Sequence, residues 1–118
     1  MLALQRNGRS NAAELRRVLE LFVAGRDVYA PEWGKALCHT SPTGFGAHYL
    51  LYDYAFACVA LGLPSELDAT ERKRFRAVLL EDLLAQRLAD GSFQDLPGLG
   101  RAYGTAAALL ALDALAER

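Results

Sequence analysis

This sequence has little of what marks a nucleic-acid-binding or membrane-surface protein. Its formal net charge is only −1, because 13 Lys and Arg residues are balanced by 14 Asp and Glu residues. A chain without excess positive charge has no long-range field that would attract nucleic acid or an anionic membrane. We therefore expect neither as a partner.

Cysteine is also scarce, with Cys38 and Cys58 as its two occurrences in the sequence. The first residues do not form a charged segment followed by an apolar stretch, which is the pattern of a secretory leader. Stable disulfide frameworks belong to oxidising compartments and usually involve more cysteines than this. We interpret both thiols as free and expect a cytoplasmic protein.

Motifs with well-defined chemistry are missing as well. The sequence contains no Gly-rich phosphate loop, no Ser-His-Asp set and no nucleophile elbow. Glu81 and Asp82 are adjacent carboxylates, but we expect them to face solvent or an arginine such as Arg87. The question of enzyme activity stays open, and the sequence favours a non-catalytic chain.

What the sequence does have is enough apolar residues to fold. Apolar residues make up 53% of the chain and charged residues 23%, which is typical of a globular protein and not of a disordered one. A length of 118 residues predicts a single domain, residues 1–118, with a modest core.

Two segments have the pattern of helices with one apolar side. The first has the capping-box pair Asn11 and Glu14 and ends near Gly25, and the second has the pair Asp68 and Glu71 and runs to about Leu88. Their predicted inward residues are Leu15, Val18, Leu19 and Phe22 in the first helix, and Phe75, Val78, Leu79, Leu83, Leu84 and Leu88 in the second.

Two further segments, residues 45–63 and about 102–116, are apolar on nearly every side, so we expect interior helices. Asp53 lies in the first of them, and a buried carboxylate is costly unless it has a partner. A tyrosine hydroxyl, a backbone amide or an arginine such as Arg101 would satisfy it, and a catalytic role is the alternative. Asp53 and His48 also make a membrane span unfavourable.

The order of these helices predicts an all-α fold of two consecutive αα-hairpins with four main helices. Hairpin one covers about residues 10–63 and hairpin two about residues 66–117. Similar residues recur at a shift of 51 between the apolar helices and of 60 between the one-sided helices, which indicates an internal repeat.

A short motif connects the helices of hairpin two. Gln86 is followed by the turn Asp90-Gly91-Ser92-Phe93, and the next helix opens with Tyr103-Gly104-Thr105-Ala106. This arrangement resembles the repeat of the terpenoid cyclase and protein prenyltransferase αα-toroid superfamily, also called the prenyltransferase and squalene oxidase repeat. The resemblance covers hairpin two alone, and the family often has Trp where this chain has Phe93.

The resemblance implies an incomplete αα-toroid, or partial α/α barrel, because two hairpins are too few to close the ring of that family. The missing surface would come from a second copy in a homo-oligomer, from the rest of a larger toroid, or from another partner. Whether Met1 starts the complete protein stays open at this stage.

The candidates for chemistry are few. Cys38, His39 and His48 could ligate zinc, and the prenyltransferase branch of the family holds zinc with an Asp, a Cys and a His. The paired Asp and Cys of that branch are absent around Cys38, so we expect no cofactor, with zinc as the open alternative. In the simpler interpretation, a loop cysteine lies beside a capping histidine within the long loop 26–44.

A second candidate is an aromatic stripe on the first apolar helix. His48, Tyr49, Tyr52 and Phe56 recur at spacings of three to four residues and, with Tyr103, could line an apolar cleft. The same stripe is also compatible with an ordinary core.

Two functions therefore remain. The preferred one is a non-catalytic αα-repeat module or toroid fragment that buries its open faces. The alternative is an enzyme or binding domain of the terpenoid cyclase or prenyltransferase type, acting on a polyprenyl or other apolar substrate. Its candidate residues are His39, His48, Tyr52, Asp53, Arg101 and Tyr103.

Overall fold

The computed structural model of the chain describes residues 12–30, 50–62 and 67–116, and these ranges are mainly helical. Their α-helices are α1 (Ala12–Ala24), the single turn α2 (Arg26–Tyr29), α3 (Leu50–Gly62), α4 (Ala69–Ala85) and α5 (Gly100–Leu115), with a 3-10 turn at Pro97–Leu99. Within these ranges no β-strand forms, and one isolated antiparallel bridge joins Arg87 to Phe93. The predicted all-α fold with four main helices is confirmed.

Helices α3 and α4 run in opposite directions. Near the start of α4, Arg72 Nη1 donates to the Leu61 carbonyl oxygen, close to the end of α3, at 2.6 Å. Towards the end of α4, Asp82 accepts from the Tyr54 hydroxyl, in the first half of α3, at 2.8 Å. Residue numbers therefore rise along one helix as they fall along the other, as in an αα-hairpin.

Helices α1 and α4 run in the same direction and are joined by ion pairs. Arg16 Nη2 donates to Glu71 Oε2 at 2.9 Å, and Arg74 Nη2 lies 3.3 Å from Glu20 Oε1. The Arg16 guanidinium beside Glu71 holds the pKa of that carboxyl below its usual range. Numbers rise together along both helices, so the two are parallel.

Helices α3 and α5 are also parallel. The Leu51 amide at the start of α3 donates to the side chain of Asp95, just before α5, at 3.0 Å. At the other end, a Cβ placed on Gly62 would lie 3.6 Å from the Ala114 carbonyl oxygen, near the end of α5. The helices thus form two parallel pairs, α1 with α4 and α3 with α5.

All four main helices contribute to one core. Its fully buried members include Leu15 and Leu19 of α1, Leu51 and Cys58 of α3, Leu79 and Leu83 of α4, and Ala108 and Ala111 of α5. Cys58 is a free thiol, and burial raises its pKa to about 12.

Tyr54 connects this core to charged groups at its edge. Its ring meets Phe22 edge to face, with the ring centres 4.9 Å apart. Burial, and then the hydrogen bond that the hydroxyl donates to Asp82, raise the pKa of Tyr54. Asp82 also lies 3.6 Å from Arg26 Nη1, so the prediction that it faces solvent or an arginine is confirmed, with Arg26 as that arginine.

Helix α4 starts where the sequence predicted, but it ends earlier than predicted. The predicted capping box is present, since Glu71 N donates to Asp68 Oδ1 at 2.8 Å and Asp68 N donates to Glu71 Oε2 at 3.1 Å. The helix ends at Ala85, earlier than predicted, because the Leu88 amide turns away to donate to the Ser92 carbonyl oxygen at 2.8 Å. The other predicted capping residue, Asn11, lies outside the described residues.

Helices α3 and α5 were expected to be interior on nearly every side, and this is wrong for the single chain. Tyr52 and Phe56 of α3 are exposed, as are Ala106 and two leucines of α5. Leu109 is 58% exposed and Leu110 64%. In the described ranges, the packing partners of each helix lie on the side away from these exposed residues.

Val18 and Leu84 are exposed too, although both were predicted to point inward. Each lies at the margin of its helix's apolar side, where a small rotation of the helix decides burial. No helix in the described ranges combines the length and hydropathy that a membrane crossing requires.

A pair of leucines in α4 tests this description of the core. Leu79 is fully buried and Leu84 half-exposed. We expect Leu79→Ala to lower the free energy of unfolding by about 2–5 kcal/mol, because it removes buried methyl groups and leaves a cavity. Leu84→Ala should cost less than about 1 kcal/mol, since much of that side chain already meets water. Urea unfolding measures both, and equal losses would contradict this arrangement of α4.

Candidate functional site

The predicted motif of hairpin two forms a compact turn after α4. Asp90 Oδ1 accepts from the Ser92 amide at 3.0 Å and from the Ser92 hydroxyl at 2.6 Å. Gly91 has φ +85°, in the left-handed region where a side chain would be strained. Gln86 is the C-cap of α4, with its backbone amide donating to the Leu83 and Leu84 carbonyl oxygens.

Arg101 closes this turn from the first residues of α5. Its Nη1 lies 2.5 Å from Asp90 Oδ2, and both side chains are largely exposed. The hydrogen bonds from Ser92, more than Arg101, hold the pKa of Asp90 below its usual range. Arg101 was a weak catalytic candidate and a possible partner of Asp53, but its ion pair is made with Asp90.

The second half of the motif, Gly104 and Thr105, explains why the turn can lie directly on α5. Phe93 is buried, and its amide donates to Thr105 Oγ1 at 3.0 Å. A Cβ on Gly104 would lie only 2.7 Å from the Phe93 carbonyl oxygen and 2.8 Å from the Asp95 amide nitrogen. Glycine is therefore required here by the backbone of the turn, and the motif residues act as structural contacts.

The most unusual side chain is Asp95, which our sequence interpretation missed. It is fully buried, and its Oδ2 accepts from the Leu51 amide at the start of α3. Its Oδ1 is buried without a hydrogen-bond partner among the described residues. Burial raises the pKa of Asp95, and the amides of Leu50, Leu51 and Tyr52 offset this only in part.

One signal in the sequence could have found Asp95. It stands two residues after the buried Phe93, and in an extended segment residues two apart point to the same side. The sequence instead predicted a buried carboxylate at Asp53, because this residue interrupts an apolar helix. Asp53 is in fact exposed, so the expected burial of its carboxylate was wrong and the cost of burial does not arise.

The aromatic stripe of α3 is only partly described. Tyr52 and Phe56 are exposed and meet edge to face, with ring centres 4.6 Å apart. Tyr103 is half-buried near the start of α5. Tyr49 and the metal candidates Cys38, His39 and His48 lie outside the described residues. Within the described ranges, no three His, Cys, Asp or Glu side chains are grouped so that they could hold a metal.

One side of α5 exposes an apolar row of side chains. We call it the α5 face and define it by Ala102, Ala106, Leu109, Leu110 and Asp113, which are all exposed. Their spacing of three to four residues places them on one side of the helix. Over nearly three turns this side carries no charge until Asp113.

A cavity of about 480 Å³ lies between the ends of α3 and α5 and the first half of α4. Its basic residues are Arg72, Lys73 and Arg76 of α4, and its apolar walls include Leu61 and Leu115. Arg72 already binds the Leu61 carbonyl, as basic side chains commonly do at helix C-termini. Arg72 therefore acts as a cap for the end of α3 at this side of the cavity.

Comparison of the chain with protein-family models, with curated proteins and with solved structures gave no match. Its function is therefore inferred from its own residues.

The contact at Gly104 is testable with a matched glycine. We expect Gly104→Ala to lower the free energy of unfolding by about 1–3 kcal/mol, because the new methyl group collides with the backbone of residues 93–95. Gly98→Ala is the control, since a Cβ there meets nothing within 4 Å. Thermal and urea unfolding compare the two variants, and an equal effect would contradict the close approach.

The buried carboxylate of Asp95 predicts a pH dependence. Because its pKa is raised in the folded protein, folding favours the protonated form, and this stabilisation is lost as pH rises through the folded-state pKa. Asp95→Asn does not titrate, so its unfolding free energy relative to wild type should fall as pH is lowered from neutral towards the ordinary pKa of aspartate, about 3.9.

Urea unfolding at several pH values measures this difference. Asp27→Asn, the same change at an exposed acid of α2, controls for the altered net charge. The opposite slope, with wild type losing more stability than Asp95→Asn in acid, would mean that Asp95 acts as a charged helix cap.

Proposed function

We propose that this chain is a non-catalytic αα-repeat module of the αα-toroid kind, either a segment of a larger toroid or a small domain. Its role is to bury its open side by self-association or against a partner protein. The observation that carries this proposal is the α5 face, an exposed apolar side of a helix next to the core.

Single exposed leucines are common on protein surfaces, but a contiguous apolar side is a sign of an interaction site. Leu109 and Leu110 are adjacent, and Ala102 and Ala106 extend the same side towards the start of α5. The small alanines would let another helix approach closely. The surface of another protein therefore fits the α5 face best.

The helix directions support the repeat interpretation. In an array of αα-hairpins, each unit presents its helices to the next in the same orientation, so like helices are parallel. Here α1 is parallel to α4, and α3 is parallel to α5. Such an array has open ends unless another unit, a cap or ring closure covers them.

The catalytic candidates among the described residues give little support to an enzymatic function. Asp53 is exposed on α3, and Arg101 is engaged by Asp90 at the motif turn. One observation favours the alternative, an enzyme or binding domain for a polyprenyl or other apolar substrate: Tyr52 and Phe56 form an exposed aromatic pair that could hold an apolar chain.

Thiol labelling of the α5 face tests the module. In a Cys38→Ser background, Leu110→Cys introduces a reactive position on the face. Cys58 does not react with the label because it is fully buried and its pKa is raised to about 12. Glu81→Cys, on the exposed side of α4, is the control.

The two variants are labelled with a membrane-permeable maleimide in the cells that produce the protein, and again after purification. We expect the thiol of Leu110→Cys to be protected in cells relative to the thiol of Glu81→Cys, because a protein covers the α5 face. Equal labelling in cells would overturn the proposed module. Protection of the same thiol in the purified protein by an added polyprenyl alcohol, with no protein bound, would favour the alternative instead.

A further inference from the structure

We propose that Asp90 is a latent modification site at which aspartate isomerises to isoaspartate. The amide nitrogen of Gly91 attacks the side-chain carboxyl in this reaction, and contacts from Ser92 and Arg101 restrain it. The proposal concerns the motif turn after α4 and does not depend on the α5 face or on a partner.

The residue pair at the tip of the turn favours this reaction. Asp90 is the only aspartate of the sequence that precedes a glycine. Because glycine has no Cβ, its backbone nitrogen is less shielded than that of any other residue. The Asp90 side chain is 52% exposed, so water reaches the carboxyl. Sequence and exposure together single out this aspartate.

The reaction consumes nothing except water, which it first releases. The Gly91 nitrogen gives up its proton and forms a bond to Cγ of Asp90, while one carboxyl oxygen leaves as water and a cyclic succinimide results. Water then adds to one of the two ring carbonyl carbons. Opening at Cγ restores aspartate, and opening at the α-carbonyl carbon leaves the chain linked through Cγ as isoaspartate.

The contacts of the turn oppose the loss of this water. Asp90 Oδ1 accepts from the Ser92 amide at 3.0 Å and from its hydroxyl at 2.6 Å, and Oδ2 lies 2.5 Å from Arg101 Nη1. These bonds stabilise the ionised carboxylate, and those from Ser92 do most to hold the pKa of Asp90 below its usual range. Ring closure requires the protonated carboxyl, because its oxygen leaves as water. The contacts therefore slow the reaction.

The attacking nitrogen is restrained as well. The Gly91 amide donates to the Leu88 carbonyl oxygen at 2.8 Å. Ring closure requires this nitrogen to lose its proton and to approach Cγ of Asp90, so the hydrogen bond to Leu88 must break first. The turn thus holds back both partners of the reaction.

Isomerisation would damage the turn. It inserts the Cβ of residue 90 into the backbone between Leu88 and Ser92, where the Leu88 amide donates to the Ser92 carbonyl oxygen at 2.8 Å. The next residue, Phe93, is buried and its amide donates to Thr105. A longer backbone displaces these contacts, so we expect the isoaspartate form to unfold at a lower urea concentration than the original protein.

The rate of isomerisation tests the proposal. The protein is incubated near neutral pH and digested, and mass-spectrometric fragmentation of the peptide that carries Asp90 measures its isoaspartate. Asn7 also precedes a glycine and is scored in its own peptide. We expect folded wild type to react about tenfold more slowly than the guanidinium-denatured chain, which lacks the hydrogen bonds to the carboxylate. Equal rates in the two states would refute the restraint.

Two variants test the restraining side chains. Arg101→Gln and Ser92→Ala should each isomerise about two- to fivefold faster than wild type, the range expected for the loss of one exposed ion pair or hydrogen bond. Arg17→Gln, at an exposed arginine of α1, is the matched control and should keep the wild-type rate. If either turn variant reacts no faster than this control, the proposal fails.

A further control separates local contacts from general stability. Leu84→Ala removes part of a half-exposed side chain of α4 and leaves the contacts of the Asp90 carboxylate in place. We expect it to isomerise at the wild-type rate while urea unfolding shows that it is folded. An acceleration equal to that of Arg101→Gln would mean that overall folding protects Asp90, and would rule out the proposed role of the turn.

Discussion

The short segment of residues 93–95 fixes the relation between the two central helices, α3 and α5. It lies so close to the start of α5 that Gly104 has no room for a side chain, and Thr105 binds its backbone. From the same segment, the Asp95 carboxylate reaches the first turn of α3. The parallel packing of α3 and α5 depends on this bridge, and so does the orientation of every surface that the pair presents.

Much of the helical architecture could be predicted from the sequence, because it follows from local patterns of residue type and spacing. The Asp68–Glu71 capping box, the inward Phe75 and Leu79 of α4 and the positive φ of Gly91 each follow from residue type and spacing. The role of Asp95 was harder to predict, since its partner Leu51 is 44 residues away. Only the alternation with Phe93 hinted that its carboxyl points inward.

The burial of α3 and α5 was overestimated for a related reason. An apolar side of a helix predicts that something covers it, and it does not tell whether the cover belongs to the same chain. Leu109 and Leu110 look like core residues in the sequence and are surface residues in the single chain. The proposal of a contact outside the chain rests on this mismatch between sequence and exposure.

The bridge from Asp95 to α3 also means that the two predicted hairpins do not fold independently of each other. A chain cut between α3 and α4 would leave a desolvated carboxylate without its amide donors on one side and an uncapped helix start on the other. The bridge therefore crosses the boundary between the two predicted hairpins and makes the start of α3 depend on the segment that precedes α5. Recombination or truncation at the hairpin boundary should disrupt such a chain, whereas a cut before α3 preserves the bridge.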